Sequence, residues 1–230
     1  MTTIADNIAQ VRSRIHAAEQ AAQRAAGSVQ LLAVSKTKPA QALREAYAAG
    51  LRDFGENYLQ EALGKQAELT DLPLIWHFIG PIQSNKTRAI AEHFDWVHSV
   101  DRLKIAQRLS EQRPAELPPL NICIQVNVSG EASKSGCTPT DLPTLAKAIA
   151  ALPHLTLRGL MAIPEPTDDR AEQDAAFAAV QRLQASLDLP LDTLSMGMSH
   201  DLESAIAQGA TWVRIGTALF GARDYGQTPS

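Results

Sequence analysis

The 230-residue chain has little cysteine and few aromatics: 2 Cys, 3 Trp, 3 Tyr and 5 Phe, with aromatic residues at 5%. Cys123 and Cys137 are too few for a disulfide framework or a four-cysteine zinc site and too far apart for a redox CxxC pair, so a reducing cytoplasm fits best. No apolar run approaches the ~20 residues needed to cross a bilayer, and the N-terminus lacks a charged head followed by an apolar block. Neither a membrane span nor a leader is therefore expected. A strong charge of one sign is missing as well. With 21 Lys+Arg against 25 Asp+Glu the formal net charge is −4, and no basic stripe carries interleaved aromatics, so nucleic-acid binding is not expected. Nor does a GxGxxG turn follow the first strand candidate, as a dinucleotide-binding sheet would require.

What remains is a globular composition, 45% hydrophobic and 20% charged, sized for one domain over residues 1–230. Ile4, Ile8, Val11 and Ile15 recur at helical spacing, so residues 1–27 are expected to supply an amphipathic helix packed on that domain; Asp6 and Glu19 argue against a targeting segment. From Leu31 onward, short β-type runs alternate with helical stretches. The strand candidates are Leu31–Lys36, Arg52–Glu56, Leu74–Gly80, Trp96–Val100, Ile122–Val128, Leu155–Ile163, Thr193–Met198 and Trp212–Gly216. Helical segments between them include Pro39–Ala49, Lys86–Phe94, Arg102–Gln112, Leu142–Leu152, Arg170–Leu187 and Leu202–Gln208, with Gly50 and Gly209 suited to C-terminal caps and Asp101 or Asp201 to N-terminal ones. About eight such units in roughly 200 residues point to an α/β fold, a (β/α)8 TIM barrel with an extra N-terminal helix. An open doubly wound sheet is the alternative. The proline-rich piece Pro114–Pro119 is too short to separate domains.

In a barrel, chemistry is built where strands hand over to loops. Those positions are polar here: Lys36, Glu56 and Asn57, His77 toward Gly80, Asn127, Ser199, and Arg214 to Gly216. Strand alternation puts Leu32, Val34 and Lys36 on one face, so the lysine ends an apolar row. Desolvation there would favour a neutral amine able to form a Schiff base with an aldehyde; snorkelling into water is the ordinary alternative, and the one assigned to Lys38. Ser195 to Asp201 and Arg214 to Thr217 each form a strand-to-helix junction, where free N–H groups and partial positive charge suit an anion. Gly216 would let backbone approach a phosphate, Ser199 and Thr217 would add hydroxyls, and Arg214 a cation. Ordinary turns and caps are the alternative for either junction alone. Together, an amine and a phosphate cup describe a site for a phosphorylated aldehyde, of which pyridoxal 5′-phosphate (PLP) is the obvious one.

At this point the motifs become recognisable. VSKTKP from Val34 to Pro39, FGENY from Phe54 to Tyr58, WHFIGPIQSNK from Trp76 to Lys86, SKSG from Ser133 to Gly136, GLMAI from Gly159 to Ile163, MGMS from Met196 to Ser199 and RIGT from Arg214 to Thr217 closely resemble the pyridoxal phosphate homeostasis proteins. The resemblance runs from the first strand to about Tyr225. It implies a fold-type III barrel like the N-terminal domain of alanine racemase, with Lys36 as the Schiff-base lysine. It also implies that Ser199, Gly216 and Thr217 hold phosphate, that Arg214 lies by the cofactor, and that Asn57 lines the pocket.

A racemase needs a second acid/base group, which in that fold comes from a further domain on a partner subunit. An arginine facing the pyridine nitrogen also leaves that nitrogen unprotonated and makes the ring a poorer electron sink. The expected function is therefore that of a cytoplasmic, monomeric carrier that buffers and delivers PLP to apo PLP-dependent enzymes. The alternative is a barrel racemase using Tyr58, His77 or His200, or a Schiff-base aldolase. Lys134 could bring a second amine to the mouth or be a solvated loop residue. Gln83, Asn85 and Lys86 could shape the mouth or cap a helix. His77 and His98, lacking paired carboxylate or cysteine ligands, read as structural rather than metal-binding.

Overall fold

Eight short parallel strands, β1 (Gln30–Val34), β2 (Asp53–Glu56), β3 (Ile75–Phe78), β4 (Trp96–Val100), β5 (Leu120–Gln125), β6 (Leu155–Met161), β7 (Thr193–Ser195) and β8 (Trp212–Ile215), pair in chain order. The last closes on the first through Gln30 to Ala33 against Trp212 to Ile215. The coordinates are a computed structural model, which describes residues 2–130 and 135–222. Lys134 lies outside the described residues. The helices are α1 (Ile4–Ala21), α2 (Ala40–Ala48), α3 (Leu59–Glu68), α4 (Thr87–His93), α5 (Leu103–Gln112), α6 (Leu142–Ala150), α7 (Arg170–Ser186), α8 (Leu202–Ala207) and α9 (Thr217–Phe220). This is the (β/α)8 barrel with an N-terminal helix that the segment order calls for.

Several strands stop short of the runs expected from the sequence: β3 at Phe78, β5 at Gln125, β6 at Met161 and β7 at Ser195. Single ladder bonds continue past these ends, from Ile79 N–H to Glu56, Val126 N–H to Met161, Ala162 N–H to Ser195 and Met196 N–H to Trp212. There the chain splays into the loops of the mouth. Gly50 and Gly209 follow α2 and α8 with φ near +103°, the left-handed geometry that suits a glycine after a helix. The expected aspartate caps do not form: α5 and α8 have no side-chain cap, and Asp201 Oδ1 instead accepts from Met198 N–H at 2.7 Å in the preceding loop.

The N-terminal helix starts with a capping box, Thr3 and Asp6 exchanging side-chain bonds with each other's backbone. Of the expected stripe it buries Ile8, Val11 and Ile15, each contributing about 2 kcal/mol of transfer free energy, and leaves Ile4 partly buried. Alternation sorts the strands. Val213 and Ile215, Ile122 and Ile124, and Phe54 point outward into the main core, whereas Leu32, Trp96, Cys123, Met161 and Trp212 fill the barrel interior as a separate cluster. Both thiols are free and buried, and burial first of all pushes Cys123 up to about 12 and Cys137 to about 11, so neither is a reactive thiolate.

Candidate functional site

Lys36, Asn57, Ser199, Arg214, Gly216 and Thr217 all border one cavity of about 290 Å³ at the C-terminal ends of the strands. Six residues spread over 182 positions of sequence (217 − 36 + 1 = 182) thus meet at one mouth. Val34 and Lys36, continuing the inward face of β1 beyond Leu32, both line it.

The turn that carries Lys36 is held from outside the barrel. Lys65 on α3 is buried and donates to the Ser35 carbonyl at 2.7 Å while pairing with Glu56 and Glu61 at 2.7 Å each. Glu61 also accepts from the N–H of Thr37, whose φ of 67° is unusual for a β-branched residue. The carboxylate thus secures a strained backbone next to the lysine. Glu56 points at this cluster and not at the mouth, contrary to the sequence reading. Burial raises its pKa, against the lowering influence of Lys65.

At the opposite wall, Met198 and Ser199 precede α8, and Gly216 and Thr217 open α9. Among the described residues, the N–H groups of Ser199, Thr217 and Ala218 donate to no acceptor, which leaves donors for an anion beside two hydroxyls. The N-terminal helix braces both segments. Arg14 Nη2 donates to the Ser199 carbonyl at 2.7 Å, and Asn7 Nδ2 to the Leu219 carbonyl at 2.8 Å.

Arg214 lies between these walls, 5% exposed, with Nη1 donating to Ser195 Oγ at 2.8 Å and Nη2 to the Ala162 carbonyl at 3.0 Å. Burial draws its pKa down to about 10, so it remains a cation at neutral pH. Asn57 Oδ1 is a buried acceptor without a partner among the described residues. Burying such an atom is costly unless something occupies the cavity it borders. The cavity thus brings together an amine, hydroxyls and free backbone N–H groups, a guanidinium and an orphaned amide oxygen that accepts, groups whose chemistry suits a phosphorylated aldehyde.

The structure also revises the inventory. Lys38, assigned to solvent from its position, lines the same cavity and donates to the Ala222 carbonyl at 2.9 Å. Ile79, Ile163 and Met198 supply apolar walls that sequence reasoning missed, although the WHFIGPIQSNK, GLMAI and MGMS motifs contained all three. His77 does not reach the mouth. It is fully enclosed in the barrel, bonded to Asp53 and His98, because the inward-facing third residue of a four-residue strand sits below the rim. Asn127 lies past the end of β5, where its Oδ1 accepts from Ser129 N–H and Oγ–H; Gln125 borders an adjoining cavity instead. Lys86 stands at the start of α4 after a 3-10 turn from Ser84, without a capping side-chain bond. Tyr58 and His200 are solvent-exposed and outside the cavity lining. Among the described residues no group of His, Cys, Asp or Glu is arranged to hold a metal, and no helix is long and apolar enough to cross a membrane.

Residues 4–224 match the family described as the alanine racemase N-terminal domain. The chain is 77% identical over 230 residues to the pyridoxal phosphate homeostasis protein of Pseudomonas aeruginosa, covering 100% of both chains. It is 55% identical over 235 residues to that of Escherichia coli, covering 98% of this chain and 99% of the relative. The structure of PipY from Synechococcus elongatus with PLP bound superposes with a TM-score of 0.85 at 46% identity, covering 95% of this chain and 100% of the other. Alanine racemase from Corynebacterium glutamicum, at 20% identity and a TM-score of 0.67, shares the fold over 95% of this chain and 63% of its own. Matched by that family model over residues 4–224 and by these relatives along almost its whole length, the chain belongs to the pyridoxal phosphate homeostasis protein family, built on the alanine racemase N-terminal domain.

Proposed function

We propose that this chain, as one barrel domain over residues 1–230, binds PLP in the Lys36 cavity and serves intracellular PLP homeostasis by buffering and delivering the cofactor. The observation that carries this reading is the convergence of Lys36, Ser199, Arg214, Gly216, Thr217 and the unpartnered Asn57 oxygen on one cavity. A relative 46% identical is described with PLP bound, which supports the same ligand here. When bound, PLP would supply an electrophilic aldehyde, and the Lys36 amine would be the group placed to hold it. Ser199, Thr217 and the N–H groups beside them would hold the phosphate, Arg214 would face the ring nitrogen, and Asn57 would hydrogen-bond the ring substituents.

The carrier role rests on the chemistry available around the amine. A carbanion enzyme needs a second acid/base group across the substrate; the candidates Tyr58 and His200 stand outside the cavity lining, His77 is enclosed in the barrel, and Lys38, which does line the cavity, is engaged with the Ala222 carbonyl. Lys36 would thus hold and release an aldehyde by reversible condensation, in a cytoplasmic, monomeric protein whose recipients are apo PLP-dependent enzymes. The experiment loads the protein with PLP, removes free cofactor and mixes it with an apo aminotransferase. Recovery of aminotransferase activity without racemisation of alanine or cleavage of sugar phosphates supports the carrier. Sustained turnover of either substrate class, lost in Lys36→Ala, would replace it with a racemase or an aldolase.

A further inference from the structure

A chain of hydrogen bonds crosses the barrel interior from its closed end to the cofactor cavity. Asp53, the first residue of β2, bonds His77 Nε2 at 2.8 Å; His77 Nδ1 meets His98 Nε2 at 2.9 Å; His98 Nδ1 meets Ser195 Oγ at 2.7 Å. Ser195 Oγ in turn accepts from Arg214 Nη1 at 2.8 Å. The links come from β2, β3, β4, β7 and β8, so no sequence window contains them. Indole rings insulate the middle: His77 stacks on Trp96 at 5.4 Å and lies edge-on to Trp212 at 4.9 Å. Asp53 is 22% exposed and borders a cavity with Arg12 and Arg52 at the face opposite the mouth.

Elementary bookkeeping of donors fixes the direction of this chain. Both imidazoles are fully enclosed, and burial lowers their pKa values, so each carries one proton and offers one acceptor. Asp53 can only accept, which assigns the proton of His77 to Nε2 and leaves Nδ1 as acceptor. His98 must then donate from Nε2 and accept at Nδ1, and the Ser195 hydroxyl must give its hydrogen to His98. Ser195 Oγ is thereby left as a committed acceptor for Arg214. Reversing the two imidazoles would set His77 Nε2, an acceptor, against a carboxylate.

We propose that Asp53 is a positioning residue for the cofactor site: by fixing the tautomers of His77 and His98 it commits Ser195 as an acceptor and so fixes the plane of Arg214 from the far face of the barrel. This rests on the reading that PLP occupies the Lys36 cavity with Arg214 at its ring. The guanidinium is held by Ser195 and the Ala162 carbonyl, and Arg214 borders the cavity. Without Asp53, His77 is free to move its proton to Nδ1. His98 then carries its own on Nδ1 and donates to Ser195, whose hydroxyl hydrogen is released to compete with the guanidinium donors. Asp53→Asn offers both an acceptor oxygen and an N–H donor, so it satisfies either tautomer of His77 and no longer dictates the direction.

The test measures histidine tautomers by ¹⁵N NMR in the cofactor-free protein and, separately, the rate at which PLP leaves the loaded protein. In wild type, His98 is expected as the Nε2–H form; in Asp53→Ala it switches to Nδ1–H, and PLP leaves about fivefold faster. Ser195→Ala removes the link to Arg214, so in that background Asp53→Ala should no longer change the release rate, whereas a merely structural role of Asp53 would add to it. An Nε2–H His98 in Asp53→Ala overturns the proposal at its first step. A tautomer switch with unchanged PLP release overturns the coupling to Arg214. Should Asp53→Ala not fold, Asp53→Ser, whose shorter hydroxyl cannot span to His77, carries the same comparison. Failure of wild type to retain PLP overturns the cavity reading and the functional half of the proposal with it, while the tautomer measurement still decides the direction of the chain.

Discussion

Arg14 on the N-terminal helix grips Glu203 of α8 through Nε and Nη2 at 2.9 Å each and, through the same Nη2, donates to the carbonyl of Ser199 at 2.7 Å. The extra helix therefore does more than cover the barrel: it holds the segment that presents Ser199 to the mouth. The ion pair is well exposed, 38% and 41%, so its loss should cost under about 1 kcal/mol of stability. Loosening the Ser199 loop acts on the ligand instead. Arg14→Ala is expected to weaken PLP binding by about fivefold while leaving the thermal midpoint nearly unchanged, as fluorescence titration and calorimetry would read.

The buried cluster behind Lys36 predicts a different balance. Lys65 is 6% exposed and Glu56 fully buried, so Lys65→Met leaves a carboxylate without its cation and should destabilise the fold by about 3 kcal/mol in urea denaturation. The double variant Lys65→Met/Glu56→Gln removes both charges and should recover most of that loss. Equal destabilisation by the single and double variants would mean that the loss comes from the Lys65 bonds to the Ser35 carbonyl and Glu61 and not from an uncompensated Glu56 charge.

Burial lowers the pKa values of His77 and His98, that of His98 well below the ordinary 6.5. The unfolded chain therefore binds more protons than the folded one below about pH 6.5, and stability must fall as the pH drops through that value. Each histidine contributes up to about 1.4 kcal/mol per pH unit until its folded form also titrates. Urea midpoints measured between pH 7.5 and 5 should decline, and less steeply in His98→Gln.

Gly80 closes on the site residue Asn57 so tightly that a Cβ there would lie 2.3 Å from the Asn57 carbonyl oxygen and 2.8 Å from its Cα. Those atoms are backbone and must move. Gly80→Ala is expected to cost about 3 kcal/mol and to weaken PLP binding at least tenfold by displacing Asn57, checked by denaturation and titration on the same preparation.

Much of the barrel was legible because its determinants are local. The inward row Leu32, Val34 and Lys36 follows from strand alternation alone, and the Ile8, Val11 and Ile15 stripe from helical period. Conversely, strand ends depend on where neighbouring chains stop pairing, so Ile79, Ile163 and Met198 looked like strand residues and proved to be cavity walls. His77 was misplaced for the same reason, one residue of depth separating the rim from the interior. Nothing in sequence spacing joins Asp53 to Arg214, since the bonds between them cross five strands. Lys38 was missed because a second lysine on the same turn looks like any surface cation until the chain around Ala222 is brought over it.

The central claim is that Lys36 holds PLP covalently. Incubation with PLP, reduction with borohydride and peptide mass spectrometry test it most directly in wild type and Lys36→Ala. A single phosphopyridoxyl group on the peptide containing Lys36, with the visible absorption band lost on reduction and missing from Lys36→Ala, is the predicted result. A label distributed over surface lysines such as Lys104 and Lys147, or an unchanged band in Lys36→Ala, would contradict it.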